Sequence, residues 1–286
     1  MSLTFGSLFA GIGGFDLGFE RAGMECRWQV EINEYATRVL AKHWPSVHRE
    51  RDILQCGRHN LEQVDVICGG FPCQDISYAG LGAGLDGERS GLFFEAIRVV
   101  HELRPRIVVM ENVAALLTRG LDRVLGTLAE IGFDAEWHCI PAAAVGAPHI
   151  RDRVFVLAYS AGVNGRKLHS GRHCFGKRES CQEDGAGFCD DSGQRGEDVA
   201  NSDKSRSQGR SYIGCNAREE LKTFERSNRE RGGCWFSESR IRRVSNGIPN
   251  RVDRLRGLGN AVVPQVAEWI GRQIMLDTKR TFANGK

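Results

Sequence analysis

Short apolar runs alternate with stretches of helical periodicity over residues 1–159, and this alternation constrains the fold more than any other feature. Runs that are typical of strands lie at 4–9, 26–31, 64–68, 106–110 and 153–158. Helical spacing of apolar residues predicts helices over 15–22, 91–103 and 118–131. We therefore predict an α/β fold whose mostly parallel sheet is covered by helices on both faces.

The composition changes at about Tyr159, and this change divides the chain into three segments. Residues 160–245 are rich in Gly, Ser, Arg and Asn and show no clear periodicity, which predicts a small loop-rich region. Apolar periodicity returns over 263–276 and predicts a closing helix. The predicted organisation is a main domain over 1–159, a loop-rich region over 160–245, and a C-terminal segment over 246–286 that returns to the main domain.

Positive charge is concentrated in the loop-rich region. The formal net charge of the whole chain is only +3, but residues 160–245 hold 17 Lys and Arg against 13 Asp and Glu. Phosphate contacts favour such a concentration, although a solvated polar surface fits the same counts almost as well. The candidate phosphate contacts are Arg166, Lys167, Arg172, Arg206, Arg210, Arg242 and Arg243.

Bulk properties disfavour several classes of protein. No apolar run approaches the length of about 20 residues that a membrane span requires, and the N-terminus lacks signal-peptide features, so we expect a cytoplasmic protein. Ten cysteines are scattered without a Cys-x-x-Cys pair, which indicates reduced thiols. No metal is expected, because the spacing of the nearest His and Cys candidates matches no standard zinc site. Those candidates are His169, His173, Cys174, Cys181 and Cys189.

A glycine cluster follows the first predicted strand and opens a helix. This is where α/β proteins bind nucleotides, because glycines let the backbone approach the ligand and the helix N-terminus offers free N–H groups. Gly11 and Gly13 match the first two glycines of the dinucleotide-binding pattern, but Asp16 occupies the third position. The pattern therefore disfavours NAD and FAD.

Two carboxylates at predicted strand ends are candidate nucleotide contacts. Glu31 is suited to accept hydrogen bonds from a ribose diol. Asp52 is suited to accept one from an adenine amino group while Ile53 packs on the ring. Each carboxylate could instead be an exposed residue at a strand end, and this alternative weighs more for Asp52 than for Glu31.

Two polar motifs follow two other predicted strands, 69–77 (GGFPCQDIS) and 111–113 (ENV). The carboxyl ends of strands in an open α/β sheet form a ligand crevice, so both motifs can face one site. The thiolate of Cys73 can add to an electrophilic carbon and leave again, and the carboxyl of Glu111 can protonate a nearby nitrogen. Taken singly, a loop cysteine is more often an ordinary thiol, and Glu111 could simply pair at a strand end.

Five motifs in this order make the chain resemble the cytosine-C5 DNA methyltransferases of bacterial and phage type, apart from residues 160–245. They are 9–14 (FAGIGG), 71–74 (FPCQ), 89–93 (RSGLF), 111–113 (ENV) and 259–264 (GNAVVP). The resemblance implies a Rossmann-like class I methyltransferase fold with a small loop-rich target-recognition region. It also implies methyl transfer from S-adenosylmethionine to C5 of a flipped-out cytosine in a specific DNA sequence, through a covalent bond between Cys73 and C6.

Residue roles follow from the same resemblance. Cys73 and Glu111 would act on the base, while Arg151 and Arg153 would steady the catalytic loop and contact the base, although His149 stands where the family has Gln. Pro72, Gln74 and Ser77 would contact the substrate. The implied cofactor-site residues are Phe9, Gly11, Gly13, Gly14, Glu31, Ile32, Asp52, Ile53, Leu92, Asn260 and Val262.

The implied partner is double-stranded DNA, bound by a monomer in the bacterial cell at the nucleoid, with a cognate restriction endonuclease as a further candidate partner. Two alternatives remain open. One is an RNA (tRNA) cytosine-C5 methyltransferase of the same fold, although such proteins tend to have Pro-Pro-Cys where this chain has 71–73 (FPC). The other is a cofactor-binding homologue with impaired DNA recognition, which the intact Cys73 and Glu111 disfavour.

Overall fold

A computed structural model of the chain describes residues 2–72, 91–160 and 249–284, with side chains up to Thr278. In the first two ranges the elements are β1 (Thr4–Leu8), α1 (Gly14–Arg21), β2 (Glu25–Val30), α2 (Glu34–His43), β3 (His48–Glu50), β4 (Val66–Gly70), α3 (Gly91–Leu103), β5 (Ile107–Val113), α4 (Leu121–Glu130), β6 (Phe133–Pro141) and β7 (Asp152–Ser160). The last range holds α5 (Arg251–Asn260) and α6 (Pro264–Asn284). Short 3₁₀ turns lie at Ile53–Gln55, Ala114–Thr118 and Ala142–Val145.

Within the described ranges, seven strands form one sheet in the order β3-β2-β1-β4-β5-β7-β6. Strands β3, β2, β1, β4 and β5 pair in parallel, and β7 runs antiparallel to both of its neighbours, β5 and β6. The predicted α/β fold with a mostly parallel sheet is therefore confirmed. In such a sheet, the ligand crevice lies at the carboxyl ends of the parallel strands.

Helices cover both faces of the sheet, as the continuous apolar runs predict. On one face, Ile67 of β4 is buried in a cluster with Phe93 of α3. On the other face, Cys68 of β4 is buried with Phe19 of α1 and Ile270 of α6. Successive residues of β4 thus supply two separate cores, because side chains alternate between the faces of a strand.

The sequence patterns do not predict four of the elements, namely α2, β3, β6 and α5. Strand β6 shows no apolar alternation, because the polar residue Glu136 occupies one of its buried positions. Glu136 accepts a 3.2 Å hydrogen bond from the Tyr159 hydroxyl there. No residue of α5 is buried, so its sequence has no apolar stripe from which a helix could be predicted. The helix predicted over 118–131 is also shorter than expected, because α4 begins only at Leu121 and Thr118 belongs to the preceding 3₁₀ turn.

The C-terminal helix α6 packs closely on α1 through glycines. A Cβ atom at Gly18 would lie 2.5 Å from the Pro264 carbonyl oxygen and 2.5 Å from the Ala267 Cβ. A Cβ at Gly271 would lie 2.8 Å from the Ala22 Cβ. These contacts bring residues near the end of the chain back to its first helix. None of the helices in the described part of the chain is long and apolar enough to cross a membrane.

Asp16 joins α1 to the two strands beneath it. Its side chain is fully buried, and it accepts hydrogen bonds from Gln29 Nε2 at 2.8 Å and from Ser7 Oγ at 3.2 Å. Burial raises the pKa of Asp16 to about 6, although these hydrogen bonds oppose the rise. The residue at the third position of the glycine pattern is therefore a buried structural carboxyl.

We expect Gly18→Ala to lower the free energy of unfolding by about 1–3 kcal/mol, because the added methyl group overpacks the contact between α1 and α6. Urea denaturation followed by circular dichroism measures this change. The matched control is Gly126→Ala in α4, where a Cβ would meet nothing within 4 Å. That exposed helical position should instead gain about 0.5–1 kcal/mol from the better helix propensity of Ala. Equal effects of the two substitutions would contradict the close packing.

We expect Asp16→Asn to change how stability depends on pH. A carboxyl whose pKa is higher in the folded chain than in the unfolded chain contributes stability at low pH, and this contribution is lost as the pH rises through the folded value of about 6. The unfolding free energy of the wild type should therefore fall, relative to that of the variant, by about 2–3 kcal/mol between pH 4 and pH 7. Denaturation over a pH series measures the difference, and a flat difference would show that Asp16 does not titrate there.

Candidate active site

The candidate functional residues follow strands that end at one edge of the sheet. The strand register pairs Leu8 with Val30 and with Gly69, and it pairs Gly70 with Glu111. The ends of β1, β2 and β4 are therefore nearly level with one another, and Glu111 lies beside the end of β4. The glycine loop, Glu31, the segment entering Cys73, and Glu111 all belong to this edge.

The loop between β1 and α1 has an unusual backbone. Phe9, Gly11 and Gly13 have φ values of 51°, 57° and 87°, in the left-handed region that glycine tolerates best. The loop turns so that Gly11 N–H donates a 2.7 Å hydrogen bond to Glu31 Oε2. Asn33 N–H donates another, also 2.7 Å long, to Glu31 Oε1. Glu31 thus fixes the glycine loop and is not a solvated strand-end residue.

The remaining cofactor-site candidates differ in exposure. Ile32 is 69% exposed beside Glu31, whereas Ile53 is only 4% exposed within the core. The side chain of Asp52 caps the following 3₁₀ turn by accepting a 3.0 Å hydrogen bond from Leu54 N–H. Ile32 therefore offers the larger apolar surface at this end of the sheet, and the packing of Ile53 on an adenine ring stays a prediction.

Four further candidates for the cofactor site also differ in burial. Phe9 and Leu92 are half-buried and pack against the same core cluster. Val262 is buried, and its carbonyl oxygen occupies the space that a Cβ at Gly14 would need. Asn260 is exposed at the end of α5. The C-terminal segment thus contacts the first turn of α1, directly beside the glycine loop.

Glu111 is the central titratable group of the edge. It is 7% exposed, and its Oε1 forms a 2.8 Å ion pair with Arg153 Nε. A Cβ at Gly70 would lie 2.9 Å from Glu111 Oε2, so this oxygen approaches the strand that leads to Cys73. Burial raises the pKa of Glu111, although Arg153 and Arg151 act in the opposite direction. Glu111 is therefore a carboxyl that holds a proton more readily than an exposed glutamate does.

Asn112 is a further candidate for the site that the sequence analysis did not assign. It is 2% exposed, and its Nδ2 donates a 3.3 Å hydrogen bond to the carbonyl oxygen of Phe71. Its Oδ1 accepts a 2.8 Å hydrogen bond from Val113 N–H. Asn112 thus fixes the backbone just before Pro72. Its position next to Glu111 in the motif 111–113 is the sequence feature that could have identified it as a site residue.

The two arginines that the sequence analysis grouped together contact different elements. Arg153 pairs with Glu111, whereas Arg151 Nη2 donates hydrogen bonds to the carbonyl oxygens of Gly259 at 2.8 Å and Ala261 at 2.7 Å. Arg151 has a positive φ of 40°, and His149 before it is exposed. Of these two arginines, it is therefore Arg153 that touches the candidate acid directly.

Several predicted residues lie outside the described ranges. They are Cys73, Gln74, Ser77 and residues 161–248, which include every candidate phosphate contact and every zinc candidate. Pro72 is described and half-buried. Among the described residues, no group of His, Cys, Asp and Glu is arranged to hold a metal ion.

Comparison with known proteins identifies relatives along about half of the chain. Type II methyltransferase M.HhaI of Haemophilus parahaemolyticus is 33% identical over 166 residues, which are 57% of this chain and 50% of that protein. Type II methyltransferase M2.BsuMI of Bacillus subtilis (strain 168) is 37% identical over 160 residues, which are 53% of this chain and 41% of that protein. The chain therefore spans about half the length of these relatives or less.

A solved structure supports the same fold, and a family model extends the match. A DNMT2 mutant from Spodoptera frugiperda superposes on 60% of this chain and 54% of its own, with a TM-score of 0.50 and 22% identity. The model of the C-5 cytosine-specific DNA methylases matches residues 3–240, which is most of the chain. The chain therefore belongs to the C-5 cytosine-specific DNA methylase family.

Proposed function

We propose that this chain transfers a methyl group from S-adenosylmethionine to C5 of cytosine in double-stranded DNA. The observation that carries the proposal is the buried Glu111, which is paired with Arg153 and approaches Gly70 at the end of the strand leading to Cys73. A carboxyl that holds a proton more readily than an exposed glutamate does is suited to assist the addition of a thiol to a cytosine ring. Membership of the methylase family supports the same chemistry.

The edge around the glycine loop suits a ligand that contains ribose and adenine. The two backbone N–H groups that bind Glu31 hold its carboxylate in place, and each oxygen keeps a lone pair for a sugar hydroxyl. The exposed side chain of Ile32 offers apolar surface for a ring. When it is bound there, S-adenosylmethionine would supply an electrophilic methyl group on a sulfonium.

The residues of the site divide the chemistry between them. The thiolate of Cys73 forms a bond to C6, and the displaced electron pair moves through the ring while Glu111 gives a proton to N3. C5 then carries enough electron density to take the methyl group, whose bond to the sulfonium would break to leave a neutral thioether. Loss of the C5 proton and cleavage of the bond between C6 and sulfur release the thiolate, and return of the N3 proton to Glu111 restores the neutral aromatic ring and the acid. Arg153 orients Glu111 throughout.

The substrate must leave the duplex before this chemistry can begin. A stacked cytosine cannot present C6 to Cys73, so the base has to flip out at a cost of a few kcal/mol. Residues 160–245, with their excess of positive charge, are the proposed target-recognition region. The family model of DNA methylases supports action on DNA. The proposal further places the protein in a bacterial cytoplasm as a monomer, with a cognate restriction endonuclease as a candidate partner.

We expect Cys73→Ser to lower methylation by more than about 1,000-fold, because a hydroxyl is a far weaker nucleophile than a thiolate. The measurement is incubation with S-adenosylmethionine and unmethylated DNA of mixed sequence, followed by mapping of 5-methylcytosine at single-base resolution. Cys139→Ser, at a half-buried cysteine of β6, is the matched control and should retain activity.

The wild type should modify one short sequence context. No methylation of DNA by wild-type protein that binds the cofactor would overturn the proposal. In that case the same assay on transfer RNA would separate an RNA methyltransferase from a homologue without activity.

We expect the rate of methyl transfer to fall as the pH rises through the pKa of Glu111, since the acid form is the proton donor. Arg153→Gln removes a cation that lowers this pKa, so the alkaline limb should move to higher pH. Glu111→Gln should lower the rate by about 100- to 10,000-fold and remove the limb. Single-turnover rates at saturating DNA and cofactor give these profiles. An unchanged alkaline limb in Glu111→Gln would show that another group donates the proton.

A further inference from the structure

Arg151 and Arg153 are only two residues apart, yet their side chains contact different parts of the molecule. Residues i and i+2 of a regular strand share one face, which predicts similar surroundings for the two arginines. Arg151 instead precedes β7 and has a left-handed φ of 40°, which is uncommon for a residue with a side chain. Its guanidinium contacts the C-terminal segment, whereas Arg153 contacts Glu111.

The atoms that Arg151 binds are backbone carbonyls at the C-terminal end of α5. The last carbonyls of a helix lack partners within the helix, and the partial negative charge there attracts cations. Arg151 Nη2 reaches the carbonyl oxygens of Gly259 and Ala261 across more than 100 residues of sequence. One charged side chain therefore caps α5 and fixes the turn into α6.

This turn lies against the glycine loop at two points. A Cβ at Gly257 would lie 3.1 Å from Ile12 Cγ2, so α5 packs closely on the loop. On the other side of the turn, the Val262 carbonyl oxygen leaves no space for a Cβ at Gly14. The carbonyls that Arg151 binds lie between these two contacts in the chain. Any movement of the turn would therefore move the surface that faces the loop.

We propose that Arg151 is a positioning residue for the cofactor site, because it clamps the Gly259–Ala261 turn against the Gly11–Gly14 loop. Its role is distinct from that of Arg153, which orients Glu111. The inference rests on the proposed function for the identity of the cofactor. The clamp itself rests only on the contacts of Arg151 with the C-terminal segment.

The test measures cofactor binding without DNA, so that contacts with a target base cannot contribute. Isothermal titration with S-adenosylmethionine compares wild type, Arg151→Ala, Arg151→Lys and Arg153→Gln. Loss of the charge-assisted hydrogen bonds in Arg151→Ala should raise Kd by about 10- to 100-fold. Arg151→Lys should fall between wild type and Arg151→Ala, because an ammonium group can bind a carbonyl but lacks the planar fork of a guanidinium. Arg153→Gln should leave Kd unchanged.

Hydrogen exchange of residues 257–263 gives a second measurement that needs no ligand. Exchange should accelerate in Arg151→Ala and not in Arg153→Gln, while unfolding curves verify that each variant is folded. An unchanged Kd in Arg151→Ala, or equal weakening in Arg153→Gln, would overturn the inference. If the wild type does not bind S-adenosylmethionine, the proposed function fails instead, and the exchange rates still decide whether Arg151 clamps the turn.

Discussion

The contact between the backbones of α1 and the C-terminal segment is the constraint on which the rest of the structure depends. Gly14 and Gly18 leave room for main-chain atoms of Val262 and Pro264, so the two parts of the chain approach closely at these glycines. The same contact covers the second face of the sheet and sets the C-terminal turn beside the glycine loop. The fold and the candidate cofactor site thus share one packing requirement.

The two carboxyl groups at this edge of the sheet, Glu111 and Glu31, differ in the groups that bind them. Burial makes the ionised form of Glu111 costly, and the ion pair with Arg153 recovers part of that cost. Glu31 is held differently, since two backbone N–H groups bind its carboxylate oxygens. Burial therefore suits Glu111 to exchange a proton, whereas two hydrogen bonds fix the position of the Glu31 side chain.

The elements that could be predicted are those whose burial follows a simple period. Helix α3 buries an apolar stripe that includes Phe93, and β4 is a continuous apolar run, so both are evident from the residues. Helix α5 buries none of its residues and β6 contains the buried Glu136, so neither shows the expected pattern. The periodicity of apolar residues shows only which residues face a core. It therefore fails to predict an element whose position is determined by polar contacts or by close packing at glycine.

The sequence by itself determined the α/β class, the ordered motifs, and the residue types that the chemistry needs at Cys73, Glu111 and the glycine loop. Only the tertiary structure decided that Arg151 binds the C-terminal turn while Arg153 binds Glu111, and that Asn112 holds the backbone before Pro72. The reason is physical. Residue type fixes what a side chain can donate, accept or bury, whereas its partner depends on chain segments that only folding brings together.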